Sequence, residues 1–286
     1  VPFRPLIHVL VTALVAAAAL GSAVSVRAAD EVPLVTTPDQ VTLAMLQLAR
    51  VGPKDVVLDL GSGDGRIVIT AARRFGARGL GVEIDPALVA RSRDHARQAG
   101  VAARAEFREQ DLFKTDLSQA SVITMYLLPE VNLQLRPALL ALRPGTRIVS
   151  HDWDMGDWPP ERTVTLDVPD KKVGLEKKSR VHLWTVPARV AGLWCSAAGE
   201  LRLRQTYSAV RGSWQPRSGA AARLSRVPAR FSGRLAGAAL DADAGASDRL
   251  ALQWRTGDRL RVRAAAGSYA ALRRVAFVRA AGESCP

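Results

Sequence analysis

The stretch Val56-Val57-Leu58-Asp59-Leu60-Gly61-Ser62-Gly63-Asp64-Gly65-Arg66 decides the fold. Its first five residues form a short apolar run, read as a buried strand, and the glycines at 61, 63 and 65 form a turn that delivers the chain into a helix beginning at Arg66. Glycine tolerates positive φ and lets the backbone approach a ligand without a side chain in the way. The spacing G-x-G-x-G differs from the G-x-G-x-x-G that favours a dinucleotide pyrophosphate. Asp59 and Asp64 would repel a pyrophosphate, but they suit the positive amino group of an amino-acid-bearing cofactor. S-adenosylmethionine is therefore favoured over NAD.

Outward from this turn, strands and helices alternate. Asp55 to Leu60 is a strand, Arg66 to Phe75 a helix, Gly79 to Ile84 a strand, and Pro86 to Gln98 a helix capped by Asp85 with Pro86 in its first turn. Ala105 to Glu109, Ser121 to Leu127 and Thr146 to Ser150 read as further strands, with a helix from about Glu130 to Leu142. Before them, Thr37-Pro38-Asp39 opens a helix carrying Val41, Met45, Leu46 and Leu48 at helical spacing. This is a doubly wound α/β pattern with a mostly parallel sheet. Pro159-Pro160 breaks the rhythm, and Thr163 to Val168 and Arg180 to Val186 follow as two strands joined by the basic turn Lys171-Lys172 to Lys177-Lys178.

Two acidic positions extend the cofactor reading. Glu83, in Gly81-Val82-Glu83-Ile84-Asp85, lies about 20 residues beyond the glycine turn, where a carboxylate can accept two hydrogen bonds from a ribose diol. Asp111, in Gln110-Asp111-Leu112-Phe113, follows the third strand. There it can accept from an adenine amino group while its apolar neighbours Leu112 and Phe113 sandwich the ring; alone it is an ordinary turn Asp.

Taken together, Asp59 to Arg66, Gly81 to Pro86, Glu109 to Phe113 and the helix before them resemble the class I, or seven-β-strand, S-adenosylmethionine-dependent methyltransferases. The wording DLGSGDGRIVI is similar in particular to the mitochondrial protein-lysine methyltransferases that modify the adenine nucleotide translocase and ATP synthase subunit c. The resemblance covers about Thr36 to Trp158. It implies a Rossmann-like methyltransferase domain with a mostly parallel seven-stranded sheet whose last hairpin adds one antiparallel strand. It also implies cofactor roles for Gly61, Gly63, Gly65, Glu83 and Asp111, and a protein lysine as acceptor.

The acceptor site is expected at the carboxyl ends of the fourth and fifth strands. The fourth ends in Met125-Tyr126-Leu127-Leu128-Pro129, not the Asn/Asp-Pro-Pro-Tyr of amino-group methyltransferases that act on DNA or glutamine. The fifth ends in Ser150-His151-Asp152-Trp153-Asp154, with Trp158 beyond. Tyr126, Trp153 and Trp158 are expected to wall a channel for a cation, with Asp152 or Asp154 attracting an ammonium and Asp152 or His151 taking its proton. The competing structural readings are a strand cap for His151 and core positions for the aromatics.

The ends of the chain differ from its centre. The net charge is +13, and from Ala188 to Pro286 there are 17 basic residues, all Arg, against 6 acidic ones. This is read either as a patch for an anionic partner or as the Arg and Ala bias of a GC-rich genome; no specific nucleic acid is expected. Alternating runs such as Leu201-Arg202-Leu203-Arg204, separated by Gly, Pro and Asp, predict a small antiparallel β domain over 188–286, with Gly237 to Ser247 as a loop. Residues 1–28 read as a signal peptide cut near Ala28, or as an uncleaved anchor. The first sends the chain to the periplasm or cell envelope, the second keeps its catalytic part in the cytoplasm. In an exported chain Cys195 and Cys285 read as a staple closing the tail domain, the alternative being two unrelated thiols. The methyltransferase domain is read over 36–187, and three functions are in play: a protein-lysine methyltransferase whose substrates extend to membrane proteins, a small-molecule or lipid methyltransferase of the same fold, and a non-catalytic exported binding module.

Overall fold

The computed structural model describes residues 35–172, 176–217, 229–243, 248–256 and 258–286; the expected leader, 1–28, lies outside them. No helix among the described residues is long and apolar enough to cross a membrane.

The elements of the first domain follow the apolar pattern closely. They are α1 (Asp39–Leu48), β1 (Val56–Leu60), α2 (Arg66–Phe75), β2 (Arg78–Glu83), α3 (Pro86–Gln98), β3 (Ala105–Glu109), β4 (Val122–Met125), α4 (Pro129–Leu140), β5 (Arg147–His151), β6 (Arg162–Asp167) and β7 (Lys178–Thr185). β1 and β4 are buried almost throughout because helices cover both faces of the sheet. Helix α2 buries Ile67, Val68, Ala71 and Ala72, the stripe that 3.6-residue periodicity brings to one face. Asp85 caps α3 as expected, accepting from the N–H groups of Ala87 and Leu88 at 2.7 and 3.4 Å.

These strands form one sheet in the order β3-β2-β1-β4-β5-β7-β6. β1 pairs in parallel with β2 and β4, β2 with β3 and β4 with β5, whereas β7 runs antiparallel to both β5 and β6. β7 is thus the single antiparallel strand. The order reverses at β1, so the crevice opens between the carboxyl ends of β1 and β4, where sheets of this kind bind ligands. Antiparallel pairing of β7 with β5 also carries the turn between β6 and β7 to that same edge. β4 stops at Met125, two residues short of the expected Leu127, because Leu128 is extended ahead of Pro129 at the start of α4.

Beyond Pro187 the chain closes an eight-stranded antiparallel barrel from β8 (Gly192–Ser196), β9 (Gly199–Thr206), β10 (Ala209–Pro216), β11 (Ala229–Ala236), β12 (Ala239–Asp243), β13 (Arg249–Arg255), β14 (Arg259–Ala266) and β15 (Ala276–Arg279). Strand alternation turns Leu201 and Leu203 inward and Arg202 and Arg204 outward. The interior is filled by a cluster that includes Trp194, Trp214, Phe231, Tyr269 and Phe277, so it is a packed core. One expectation fails here. The stretch from Gly237, read as a loop for its small residues, contains β12, whose Leu240 and Ala242 face the barrel core. Neighbouring strands on both sides override its low β-propensity; residues 244–247 lie outside those described.

Cys195 and Cys285 are joined by a disulfide with a sequence separation of 90. It fastens the end of the chain to β8, and closing a loop of that length is worth about 4 to 5 kcal/mol in the chain-entropy model. The barrel packs on the sheet domain through Tyr207, whose ring stacks on Trp158 at 6.0 Å and whose hydroxyl donates to Asp157 at 2.9 Å.

Candidate active site

At the end of β1, Asp59 is buried, and among the described residues the hydroxyl of Thr124 is the one donor to its carboxylate, at 2.7 Å. Burial chiefly, aided by the nearby charges of Glu83 and Asp64, pushes its pKa up to about 8 against the opposing effect of that hydrogen bond. A carboxylate desolvated in this way lacks a cation. The glycine turn beyond it has positive φ at Gly61, Gly63 and Gly65. At Gly65 a Cβ would also meet the Phe107 ring at 2.7 Å, so glycine is demanded there twice over.

Glu83 stands across from this turn and grips it. One carboxylate oxygen accepts from the N–H of Gly63 at 2.9 Å, and the other from Ile84 and Asp85 at 2.8 and 3.2 Å. With about four acceptor positions on a carboxylate, one remains for an incoming hydroxyl.

Asp64 does not stand where the sequence reading put it. It forms a forked pair with Arg66, Oδ2 to Nη2 at 2.6 Å and Oδ1 to Nε at 2.9 Å. Burial pushes its pKa up, but these bonds and the guanidinium charge outweigh this and hold it below the usual range. Arg66 also donates to the Thr37 carbonyl at 2.9 Å. Asp64 therefore ties the glycine turn to the segment before α1 and has no carboxylate to spare for an ammonium.

After β3, Asp111 caps the short 3-10 helix Leu112–Lys114, accepting from Phe113 N–H at 2.9 Å, with Lys114 3.5 Å from its second oxygen. Leu112, expected to sandwich a ring, packs against the domain core instead, and Phe113 faces out. The reason is the tight 3-10 turn, which sends adjacent side chains in different directions.

The edge carries more exposed apolar groups than the sequence reading named. Ile84 is 69% exposed, Phe113 52%, Leu128 55% and Trp153 44%, and they follow the carboxyl ends of β2, β3, β4 and β5 in turn. Four large apolar groups along one crevice edge mark a surface that meets a ligand. Ile84 and Leu128 each adjoin a strand of the sheet core, so apolar periodicity alone reads them as part of that core.

At the other end of the crevice, β4 and β5 bring Tyr126 and His151 together, ring centroids 3.9 Å apart. His151 is fully buried, with Nδ1 bonded to Thr37 at 3.2 Å and Nε2 to Ser179 at 2.9 Å. Burial chiefly, against the attraction of Asp152, lowers its pKa to about 4. It is a neutral ring holding its neighbours, with neither nitrogen open to a substrate proton. Asp152 has a left-handed backbone, φ 63. One of its oxygens accepts the Arg180 N–H at 2.9 Å, and the other meets the Lys171 ammonium at 2.7 Å. Burial, then the charge and hydrogen bond of Asp152, push the Tyr126 phenol up to about 12. Lys171 was not among the expected site residues, because nothing in the order of residues places a hairpin lysine on the end of β5.

Trp153 stands exposed beside Asp152, whereas Trp158 is in the core, its carbonyl accepting from Trp184 at 2.9 Å. Trp158 is thus withdrawn from any cation wall by the barrel that covers it. Asp154 spends one oxygen on a turn, accepting from Gly156 N–H at 2.9 Å.

A seven-stranded sheet in this order, with a glycine turn at its reversal, an acid on the next strand and an apolar crevice edge, defines a methyltransferase of the Rossmann-like class. Comparison with known proteins gives the family. The family model for the ANTKMT methyltransferase domain matches residues 59–162. The protein-lysine N-methyltransferase of Saccharolobus islandicus (strain REY15A) is 41% identical over 138 residues, 48% of this chain and 86% of that one. The adenine nucleotide translocase lysine N-methyltransferase of Mus musculus is 38% identical over 136 residues, 47% of this chain and 58% of that one. Among solved structures, an RNA methyltransferase from Salinibacter ruber in complex with S-adenosyl-L-homocysteine is 54% identical, with a TM-score of 0.50 over 55% of this chain and 96% of that one. The chain belongs to the class I S-adenosylmethionine-dependent methyltransferases.

The residues present fit S-adenosylmethionine. A buried carboxylate short of a cation, a bare glycine turn, one remaining acceptor position on Glu83 and the exposed Ile84 and Phe113 match, in that order, an ammonium, a backbone-hugging chain, a ribose and an adenine ring.

Proposed function

We propose that this enzyme methylates the side-chain amine of a protein lysine. The observation that carries the reading is at the acceptor edge. There the Asp152 carboxylate already holds an alkylammonium, that of Lys171, beside Tyr126. The two lysine methyltransferases just described support it by their similarity. In this reading Asp59 takes the amino group of S-adenosylmethionine, Glu83 its ribose, and Ile84 and Phe113 the faces of its adenine. Asp111 keeps its adenine-edge role only through the acceptor capacity left by its cap. Bound there, the sulfonium supplies an already activated methyl group, so the chain has to position, dry and deprotonate the acceptor. A lysine has an unperturbed pKa of about 10.4 and must lose a proton first. Asp152 is placed to orient the ammonium and receive that proton, Tyr126 and Trp153 to wall the amine, and His151 to position Tyr126 from beneath.

A second acceptor is favoured by a specific observation. The Salinibacter ruber structure carries the name RNA methyltransferase, and the barrel's outward arginines would suit a polyanion. Incubation with methyl-labelled cofactor and cell extract separates these readings. Protein label that returns methyllysine on acid hydrolysis is the expected result. Label confined to RNA, or to lipid and small molecules, overturns it. The exported non-catalytic module has no support from the family or the site. For location, the Cys195–Cys285 bond favours the exported reading over a cytoplasmic catalytic domain, because cytosolic thiols are kept reduced.

The state of Asp59 gives a further expected result. With its pKa near 8 against an ordinary 3.8, the folded protein holds a proton there that the unfolded chain has lost, so raising the pH through this window weakens the cofactor-free enzyme. An arriving ammonium needs the carboxylate form. Binding at pH 7 should therefore expel nearly one proton, and affinity should rise between about pH 6 and 8. Calorimetry in buffers of different ionisation enthalpy reads the release directly. Asp59→Asn should abolish it, and a binding enthalpy indifferent to buffer in the native enzyme would remove Asp59 from this role.

A further inference from the structure

Only six of the 40 basic residues are Lys, the rest being Arg. Four of the six, Lys171, Lys172, Lys177 and Lys178, fall within eight residues, at the turn between β6 and β7. A solvated turn would be served as well by Arg, which makes up 34 of the 40 basic residues. Lysine differs in one chemical respect that matters here: its amine can lose a proton and become a nucleophile, whereas the guanidinium stays charged. The antiparallel run of β7 against β5 brings this turn over the carboxyl edge of the sheet, the edge of the active site.

Of these lysines, Lys171 is the one turned inward. Its side chain is 11% exposed, and its ammonium donates to Asp152 at 2.7 Å and to the Lys178 carbonyl. The turn is braced by Lys177, which donates to the Lys171 carbonyl at 2.7 Å. Lys54, by contrast, precedes β1 at the opposite edge of the sheet, and Lys114 is paired with Asp111 beyond β3.

We propose that Lys171 is a methyl acceptor in its own right and that the enzyme methylates itself there, in cis. The inference rests on the reading that Asp152 receives an acceptor lysine, and it names the first amine that site meets. In the step, Lys171 Nζ gives a proton by way of Asp152 to solvent, and its lone pair attacks the methyl carbon. A C–N bond forms, and the donor's S–CH₃ bond breaks with its electron pair left on sulfur. S-adenosylhomocysteine leaves neutral, and the nitrogen remains as a methylammonium. Methylation keeps the positive charge that faces Asp152 but removes a donor and adds bulk, which loosens the hairpin's hold on the acceptor edge.

The test is peptide mass mapping of the full chain, both as isolated from its expressing cells and after incubation with labelled S-adenosylmethionine alone, with parallel incubations in extract. The expected result is methyl on Lys171, incorporated at a first-order rate that does not change with enzyme concentration. Lys171→Arg should lose this label while calorimetry shows its cofactor affinity kept, and Lys172→Arg should retain it. Label on extract lysines with none on Lys171 overturns the inference and leaves the proposed function standing. A rate rising with enzyme concentration overturns the in-cis form. Label on no lysine of either kind overturns the inference and the proposed function together.

Discussion

Asp152→Asn lowers methyl transfer by about 10²-fold or more while leaving cofactor affinity nearly unchanged, the scale expected on losing a positioned acid/base or orienting group. Asparagine is the right replacement because the position has φ 63, a left-handed conformation that Asn adopts readily. Its side-chain oxygen still accepts from the Arg180 N–H, so the turn that enters β7 keeps its shape. What disappears is the charge facing Lys171 and Tyr126. Single-turnover rates report the chemistry and calorimetry the binding. An independent reading comes from the phenol of Tyr126, which Asp152 helps to hold near 12 and which should titrate lower in the variant. Transfer at close to the native rate, with the phenol shifted, would show that Asp152 tunes its neighbours without serving the reaction.

Glu83→Ala weakens S-adenosylmethionine binding by roughly 10- to 150-fold, equivalent to about 1.5 to 3 kcal/mol for a lost charge-assisted contact. Glu83 also clamps the Gly63 amide, so the alanine variant loses the turn's brace together with the acceptor proposed for the ribose. Glu83→Gln separates the two effects. It keeps an oxygen that can accept from the backbone but gives up the charge and one acceptor group. An intermediate affinity is expected, and equal affinity in all three proteins would place the ribose elsewhere. Titration calorimetry of the full chain measures each.

The parts of this molecule that were legible in advance are those set by local rules. Asp85-Pro86 announces a helix start because a capping carboxylate and a fixed proline φ act within one turn. The Leu201 to Arg204 alternation announces a strand because side chains alternate faces every residue. Leu240 was less legible because its strand is made by its neighbours, and Ala and Gly carry little local preference of their own. At the site, Glu83 was read for the ribose, but its grip on Gly63 depends on how β2 lies beside β1.

By itself the amino-acid order determined the doubly wound sheet, the glycine turn at its reversal and the kind of cofactor that turn admits. These rest on periodicity, on positive φ and on the sign of charge within a few residues, all of which are local. Tertiary structure alone decided that Trp158 belongs to the core beneath the barrel, that His151 is sealed and neutral, and that Lys171 reaches Asp152. Each of these depends on which of several nearby partners a charged or aromatic group finds once strands distant in sequence lie side by side. In a low-dielectric interior that choice of partner sets whether a carboxylate is spent or available, and sequence spacing carries no record of it.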